Sequence, residues 1–272
     1  MKIINLVEDT KGGNCLNEHG LSFYIETEKH KLLMDSGATD LFLQNAGVLG
    51  VDLTQVDTFI LSHGHYDHAG GLSAFAQLNP KAEIYLKETA GGDYYHISSR
   101  GGKYIGIDKN IMNLPQVITV QDNLEIDEEL FLLTGFSKKQ YPAWSNLELK
   151  EKVGNAYIQD GFSHEQCLLI RQGEHQTLLS GCAHSGILSI LDRYYELFGS
   201  FPQTVISGFH MMKNSGYLQE EFDYIRQTAH ELLETEALFY TGHCTGQKAF
   251  DIMKEIMGER LQDFHSGSQL EI

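Results

Sequence analysis

Residues 61–70 read Leu-Ser-His-Gly-His-Tyr-Asp-His-Ala-Gly, which puts His63, His65, Asp67 and His68 within six positions. The run follows Thr58-Phe59-Ile60-Leu61, an apolar segment of strand composition. It therefore begins where a buried strand ends, and open α/β sheets place their ligands at the carboxyl ends of strands. On extended backbone His63 and His65 point the same way, and Gly64 lets the chain bend between them. Asp67 and His68 then fall at the start of a helix that runs on from about Ala69 to Leu78, stopped by Asn79-Pro80. Three borderline imidazoles and one hard carboxylate this close together suit zinc, iron or manganese.

The rest of the chain supplies an α/β framework for such an edge. Residues 20–27 and 30–35 read as a hairpin, 39–46 as a helix and 82–87 as a strand. Further strands are expected at 116–120, 129–134, 165–171 and 175–180. Two buried strands, 203–208 and 237–241, flank an amphipathic helix marked by Leu218, Phe222, Ile225, Ala229 and Leu232. A closing helix, 247–257, ends at Gly258. Two stretches, 90–105 and 136–163, carry no clear period and read as lid-like insertions in one domain spanning 1–272. The first holds Tyr94, Tyr95, His96 and Arg100; the second holds the one tryptophan, Trp144.

Composition narrows the partners. The formal charge is −17, from 37 acidic and 20 basic residues, which disfavours nucleic acid and anionic lipid surfaces. No apolar run is long enough to span a membrane. Four scattered cysteines, Cys15, Cys167, Cys182 and Cys244, show no disulfide framework and point to a reducing, cytoplasmic setting. Cys15 and Cys167 read as small buried residues. His19, His30, His175, His230 and His265 carry no functional signal. Oligomeric state is not legible.

The His-x-His-x-Asp-His run closely resembles the signature of the metallo-β-lactamase superfamily, and the similarity extends along almost the whole chain. Leu33-Met34-Asp35-Ser36-Gly37 looks like that superfamily's first motif. The resemblance implies a four-layer αββα sandwich with two metal ions at one edge of its sheets. It implies that Asp35 orients the metal-binding loop rather than binding metal. It asks for three later ligands, matched by His164, by Cys182 in Gly181-Cys182-Ala183-His184, and by His243 in Gly242-His243-Cys244. His63, His65 and His164 then hold one ion; Asp67, His68 and His243 hold the other, with Cys182 near both. His184 competes with Cys182 for that place or acts on substrate, and His210 is a further substrate group. The motifs His19-Gly20-Leu21-Ser22, Gly208-Phe209-His210 and Gly242-His243-Cys244-Thr245-Gly246 resemble a subfamily labelled dihydropterin-methyl-ribofuranosylaminobenzene phosphate synthases.

Two divalent ions, zinc first with iron or manganese behind it, generate hydroxide at neutral pH without a protein nucleophile. The expected activity is hydrolysis of a small anionic, phosphate-bearing ester. Asp67, His184 and His210 are the catalytic candidates. Arg100 offers a phosphate fork, with Tyr94 and His96 beside it as a stacking wall. Transfer on a pterin-linked ribofuranosylaminobenzene phosphate, diiron redox chemistry and a non-catalytic sensor remain as alternatives. The redox reading lacks room for the flavin module such enzymes carry.

Overall fold

The computed structural model describes residues 1–137, 143–213 and 215–272. Its strands are β1 (Lys2–Val7), β2 (Ser22–Glu26), β3 (Lys31–Met34), β4 (Thr58–Ile60), β5 (Glu83–Lys87), β6 (Tyr94–Ser98), β7 (Gly101–Tyr104), β8 (Val117–Val120), β9 (Leu124–Glu125), β10 (Leu130–Leu133), β11 (Leu149–Val153), β12 (Ala156–Gln159), β13 (Cys167–Gln172), β14 (His175–Leu179), β15 (Thr204–Ile206), β16 (Leu238–Thr241), β17 (Leu261–Asp263) and β18 (Gln269–Glu271). The α-helices are α1 (Leu41–Leu49), α2 (Tyr66–Ala69), α3 (Leu72–Leu78), α4 (Ala143–Asn146), α5 (Ile187–Phe198), α6 (Gln219–Glu234) and α7 (Gln247–Met257). These elements form two compact units. The first comprises Met1–Leu124, Glu148–Gln166 and His265–Ile272; the second comprises Glu125–Leu147 and Cys167–Phe264.

The first unit is built on a seven-stranded sheet ordered β18-β1-β2-β3-β4-β5-β8. The β2–β3 hairpin forms as its alternation predicts, with Phe23 opposite Met34 and Glu26 opposite Lys31. From β3 onward the strands run parallel, with α1 and α3 as crossover helices. Phe42 and Ala46 of α1 and Leu72, Phe75 and Ala76 of α3 bury against Leu33, Phe59 and Leu61. Each large apolar side chain so buried contributes roughly 1.5–3 kcal/mol. Parallel register pairs Met34 with Ile60, so β3 and β4 end level and the Asp35 N–H donates to the Ile60 carbonyl at 3.0 Å. Asp35 and the histidine run therefore leave the sheet side by side.

The stretches read as lids contain regular structure. Strands β6 and β7 pair with β11 and β12 in a four-stranded antiparallel sheet ordered β12-β11-β6-β7. Gly91-Gly92 precede β6 and Gly101-Gly102 open β7; these two strands form a hairpin, and β6 also pairs with the remote β11. The part of the 136–163 stretch at 138–142 lies outside the described residues.

The second unit has its own sheet, ordered β17-β16-β15-β14-β13-β10-β9, with β14 to β17 parallel. Helices α5, α6 and α7 connect those parallel strands in turn and bury Ile190, Tyr194, Ile225, Ala229, Leu232 and Met253 with Val205 and Phe239 of the sheet. Leu218 departs from the expected apolar stripe: it caps α6 and is 58% exposed. Among the described residues no helix is long and apolar enough to cross a membrane.

Candidate metal centre

In the first unit the site is organised by one buried carboxylate. Asp35 sits in left-handed backbone at φ 59°, fully buried, just beyond β3. One of its oxygens accepts the Ser62 N–H at 2.7 Å. The other accepts the Ser62 hydroxyl at 2.7 Å and pairs with His68 Nδ1 at 2.6 Å. An ionised carboxylate only accepts, so His68 carries its proton on Nδ1 and presents Nε2. The Ser62 hydroxyl has spent its proton on Asp35, so at 2.9 Å it accepts from His63 Nδ1, and His63 likewise presents Nε2. The rings of His63 and His68 stand 4.1 Å apart, and those of His63 and His65 4.7 Å. Gly64 is present for space rather than for bending: a Cβ there would stand 2.5 Å from the Ala90 carbonyl oxygen.

His164 is brought to this cluster, with its ring 5.1 Å from that of His65. Its Nδ1 accepts the Gly64 N–H at 3.0 Å, and its Nε2 lies 3.2 Å from Asp160 Oδ2. A neutral ring with Nδ1 accepting carries its proton on Nε2, so His164 donates to Asp160. Asp160, which sequence reasoning missed, is buried, and its Oδ2 is 4.0 Å from His65 Nε2. Two metal–ligand bonds of about 2.0–2.2 Å can span such a separation. Burial opposes the charge on Asp160, but hydrogen bonds from His164 and the Phe162 N–H hold its carboxyl below the ordinary range. Burial, followed by the neighbouring His164, pushes His65 down to about 3, which keeps it neutral as a ligand must be. The signal for Asp160 was its place four residues before His164 in Asp160-Gly161-Phe162-Ser163-His164.

Asp67 and His68 open α2 as expected, with Asp67 Oδ2 3.7 Å from His68 Nε2. His19, read as having no role, reaches the same carboxylate. Its Nε2 is 3.5 Å from Asp67 Oδ2, and its Nδ1 is 2.8 Å from Asp9. The proposed substrate wall does not form. Tyr94 is buried, donates its hydroxyl to the Thr89 carbonyl at 2.6 Å, and packs its ring 4.1 Å from that of His164. Alternation along β6 sends Tyr95 to the opposite face, where it meets Tyr104 and Tyr157. His96 pairs with Glu148 at 2.9 Å, and Arg100 is exposed at the β6–β7 turn. A different cation lies by the metal loop: Lys103 Nζ is 3.2 Å from the Tyr66 hydroxyl and 4.3 Å from its ring centre.

The second unit repeats the arrangement of strand ends. Cys182 and His184 follow β14, His210 follows β15 and His243 follows β16. Ala183, His210 and His243 are each at φ 49°, left-handed conformations that non-glycine residues hold only under constraint, and such residues gather at functional sites. His184 is buried, and Asn146 takes both its carbonyl, at 2.9 Å, and its Nδ1, at 3.3 Å. The His184 and His210 rings lie 4.1 Å apart. His210 Nε2 donates to the Ser145 carbonyl at 3.2 Å. Burial works against ionising the Cys244 thiol, yet the neighbouring Cys182, His210 and His243 side chains hold it well below its ordinary value.

Neutral imidazoles presented through Nε2 and backed by oxygen acceptors, beside ionised carboxylates, fit a zinc, iron or manganese ion. The family model of the metallo-β-lactamase superfamily matches residues 17–143. A 7,8-dihydropterin-6-methyl-4-(β-D-ribofuranosyl)-aminobenzene-5′-phosphate synthase of Methanocaldococcus jannaschii is 28% identical, over 98% of this chain and 95% of its own. An uncharacterised protein of the same organism is 27% identical, over 92% and 93%. The crystal structure of a metal-dependent hydrolase of the β-lactamase superfamily aligns over 100% of this chain and 99% of its own, with 29% identity and a TM-score of 0.85. The expected α/β architecture, with two mixed sheets flanked by helices, is the one found. The chain thus belongs to the metallo-β-lactamase superfamily and is a metal-dependent enzyme.

Proposed function

We propose that the protein is a cytoplasmic hydrolase that holds two divalent ions, zinc by preference, and acts on a small anionic ester bearing a phosphate. The observation that carries this reading is the first unit's donor set. His63 and His68 are locked to present Nε2, the ring of neutral His65 stands 4.7 Å from that of His63, and Asp67 and Asp160 supply carboxylates. Lone-pair count favours His63, His65 and Asp160 for one ion, with His164 orienting Asp160. Asp67 and His68 serve the other, and His243 with one of Cys182 and His184 rests on the sequence pattern. When bound, such ions supply an activated water and polarise the scissile group. Lys103, laid over Tyr66 beside the metal loop, is better placed than Arg100 to meet a phosphate. The −17 charge disfavours polyanions and membrane surfaces as partners. The likeness to a metal-dependent hydrolase at 29% identity supports the reaction class. The likeness to the Methanocaldococcus jannaschii synthase at 28% identity keeps transfer on a pterin-linked phosphate as a second reading.

The test is a screen of zinc- and manganese-loaded protein against phosphodiesters, phosphomonoesters, lactones, thioesters and β-lactams. Metal content should reach at least two equivalents per chain. His65→Ala should lose one of them with most activity, while His230→Ala should keep both. Lys103→Ala should raise KM for the phosphorylated substrate by about tenfold, as loss of one charge-assisted contact does. Turnover of a neutral lactone or lactam alone, indifferent to Lys103→Ala, would remove the phosphate reading and leave the hydrolase.

A further inference from the structure

Cys244 is as buried as the ligand candidates around it, and the dinuclear set gives it nothing to do. Its loop is tied to two others within the second unit. The Gly208 N–H donates to the Gly181 carbonyl at 2.8 Å, which joins the loops after β14 and β15. The Met212 N–H donates to the Cys244 carbonyl at 2.8 Å, and the Phe209 N–H to the Thr245 hydroxyl at 2.8 Å, which join the loops after β15 and β16. Space is kept open beside the sulfur, since a Cβ at Gly208 would stand 2.5 Å from Cys244 Sγ. The outcome is that Cys182, His210 and Cys244 bring their ligand atoms within 4.8 Å of one another. Both cysteines are reduced thiols. His210 Nε2 donates to the Ser145 carbonyl, so Nδ1, itself shielded from solvent, keeps its lone pair. A ring nitrogen fixed by a backbone carbonyl on its far side is how proteins orient a metal-binding histidine.

We propose that Cys182, Cys244 and His210 form a metal site of their own, three protein ligands for a thiolate-preferring ion of the zinc class. Two sulfurs and an imidazole select zinc over magnesium, calcium or manganese, which take oxygen. With zinc bonds of about 2.3 Å to sulfur and about 2.0–2.1 Å to nitrogen, a tetrahedral ion sets its ligands roughly 3.5–3.8 Å apart, so the cluster closes by up to about 1 Å around the ion. An ion here pins the ends of three adjacent parallel strands. The sequence pattern gives Cys182 to the dinuclear set; this assignment takes it from that set and leaves His184 there.

Cobalt(II) titrated into reduced apoprotein should give near-ultraviolet thiolate-to-cobalt charge transfer. Cys244→Ser should remove most of that intensity together with about one equivalent of metal, because the site is left with a single thiolate. His63→Ala, in the first unit, should leave the band unchanged. Because a buried cysteine variant can lose its fold, X-ray absorption of zinc-loaded wild-type protein gives an independent reading, two sulfur scatterers per chain at about 2.3 Å. One sulfur per chain, or a band untouched in Cys244→Ser, overturns the proposal. Unchanged metal content in His63→Ala, with the band retained, counts against the dinuclear reading alone.

Discussion

The tautomer of each histidine in the first unit is written by the group behind it. Asp35 and Ser62 take the Nδ1 protons of His68 and His63, so a single carboxylate fixes two presented nitrogens. Asp35→Asn keeps the shape and weakens that acceptance, and should lower metal affinity by roughly ten- to a hundredfold without removing a ligand. Titration with a competing chelator measures it; unchanged affinity would mean that Asp35 only supports the loop. The same proton count separates Asp160 from His164. Asp160→Asn should lose one equivalent of metal, because an amide oxygen is a poor ligand, although it can still accept from Phe162. His164→Asn should retain that equivalent with affinity reduced about tenfold. The reverse order of loss would return His164 to the ligand set and make Asp160 its orienting partner.

At the scale of elements, both units use one device: parallel strands end level, and the chemistry lies just beyond their carboxyl ends. In the first unit Gly64 lets the chain pass the Ala90 carbonyl between His63 and His65. Gly64→Ala should therefore cost about 1–3 kcal/mol, as overpacking does, and displace both rings. Chemical denaturation and metal content should report the loss together; a variant with normal stability and metal would show that the loop has slack. What the sequence revealed follows from the range of each signal. The His-x-His-x-Asp-His run, the β2–β3 hairpin and the apolar face of α6 are local patterns with periods of two or 3.6, and they read directly. Asp160 lies 92 positions beyond His68 (160 − 68), in a glycine-containing turn, and only tertiary packing brings it to His65. Strands β6 and β7 were hidden because one glycine pair precedes β6 and another opens β7, and because β11, which pairs with β6, is remote in sequence. Tyr94 read as part of an open loop for the same reason, and strand alternation buries it instead.

The whole molecule combines a net charge of −17 with a buried cluster of imidazoles, so pH and metal act on its stability together. His65 is pushed down to about 3 by burial and by His164, whereas an unfolded histidine titrates near 6.5. Between those values the unfolded chain binds a proton that the native state refuses. Stability is therefore lost as pH falls from about 6.5 toward 3, by at most about 1.4 kcal/mol per pH unit for this group. Bound metal steepens the loss, since the ion binds deprotonated ligands and each proton competes with it. It also stabilises the native state in proportion to occupancy, by about 2.7 kcal/mol at a hundredfold excess over Kd. The melting temperature of zinc-loaded protein should thus exceed that of chelated protein most at pH 7–8. The gap should narrow steadily toward pH 5, and the chelated protein should itself melt lower there than at neutrality. Thermal melts in matched buffers with and without chelator measure both trends. A gap independent of pH between 5 and 8 would show that imidazole nitrogens do not hold the stabilising ion, and would move the candidate centre away from His63, His65 and His68.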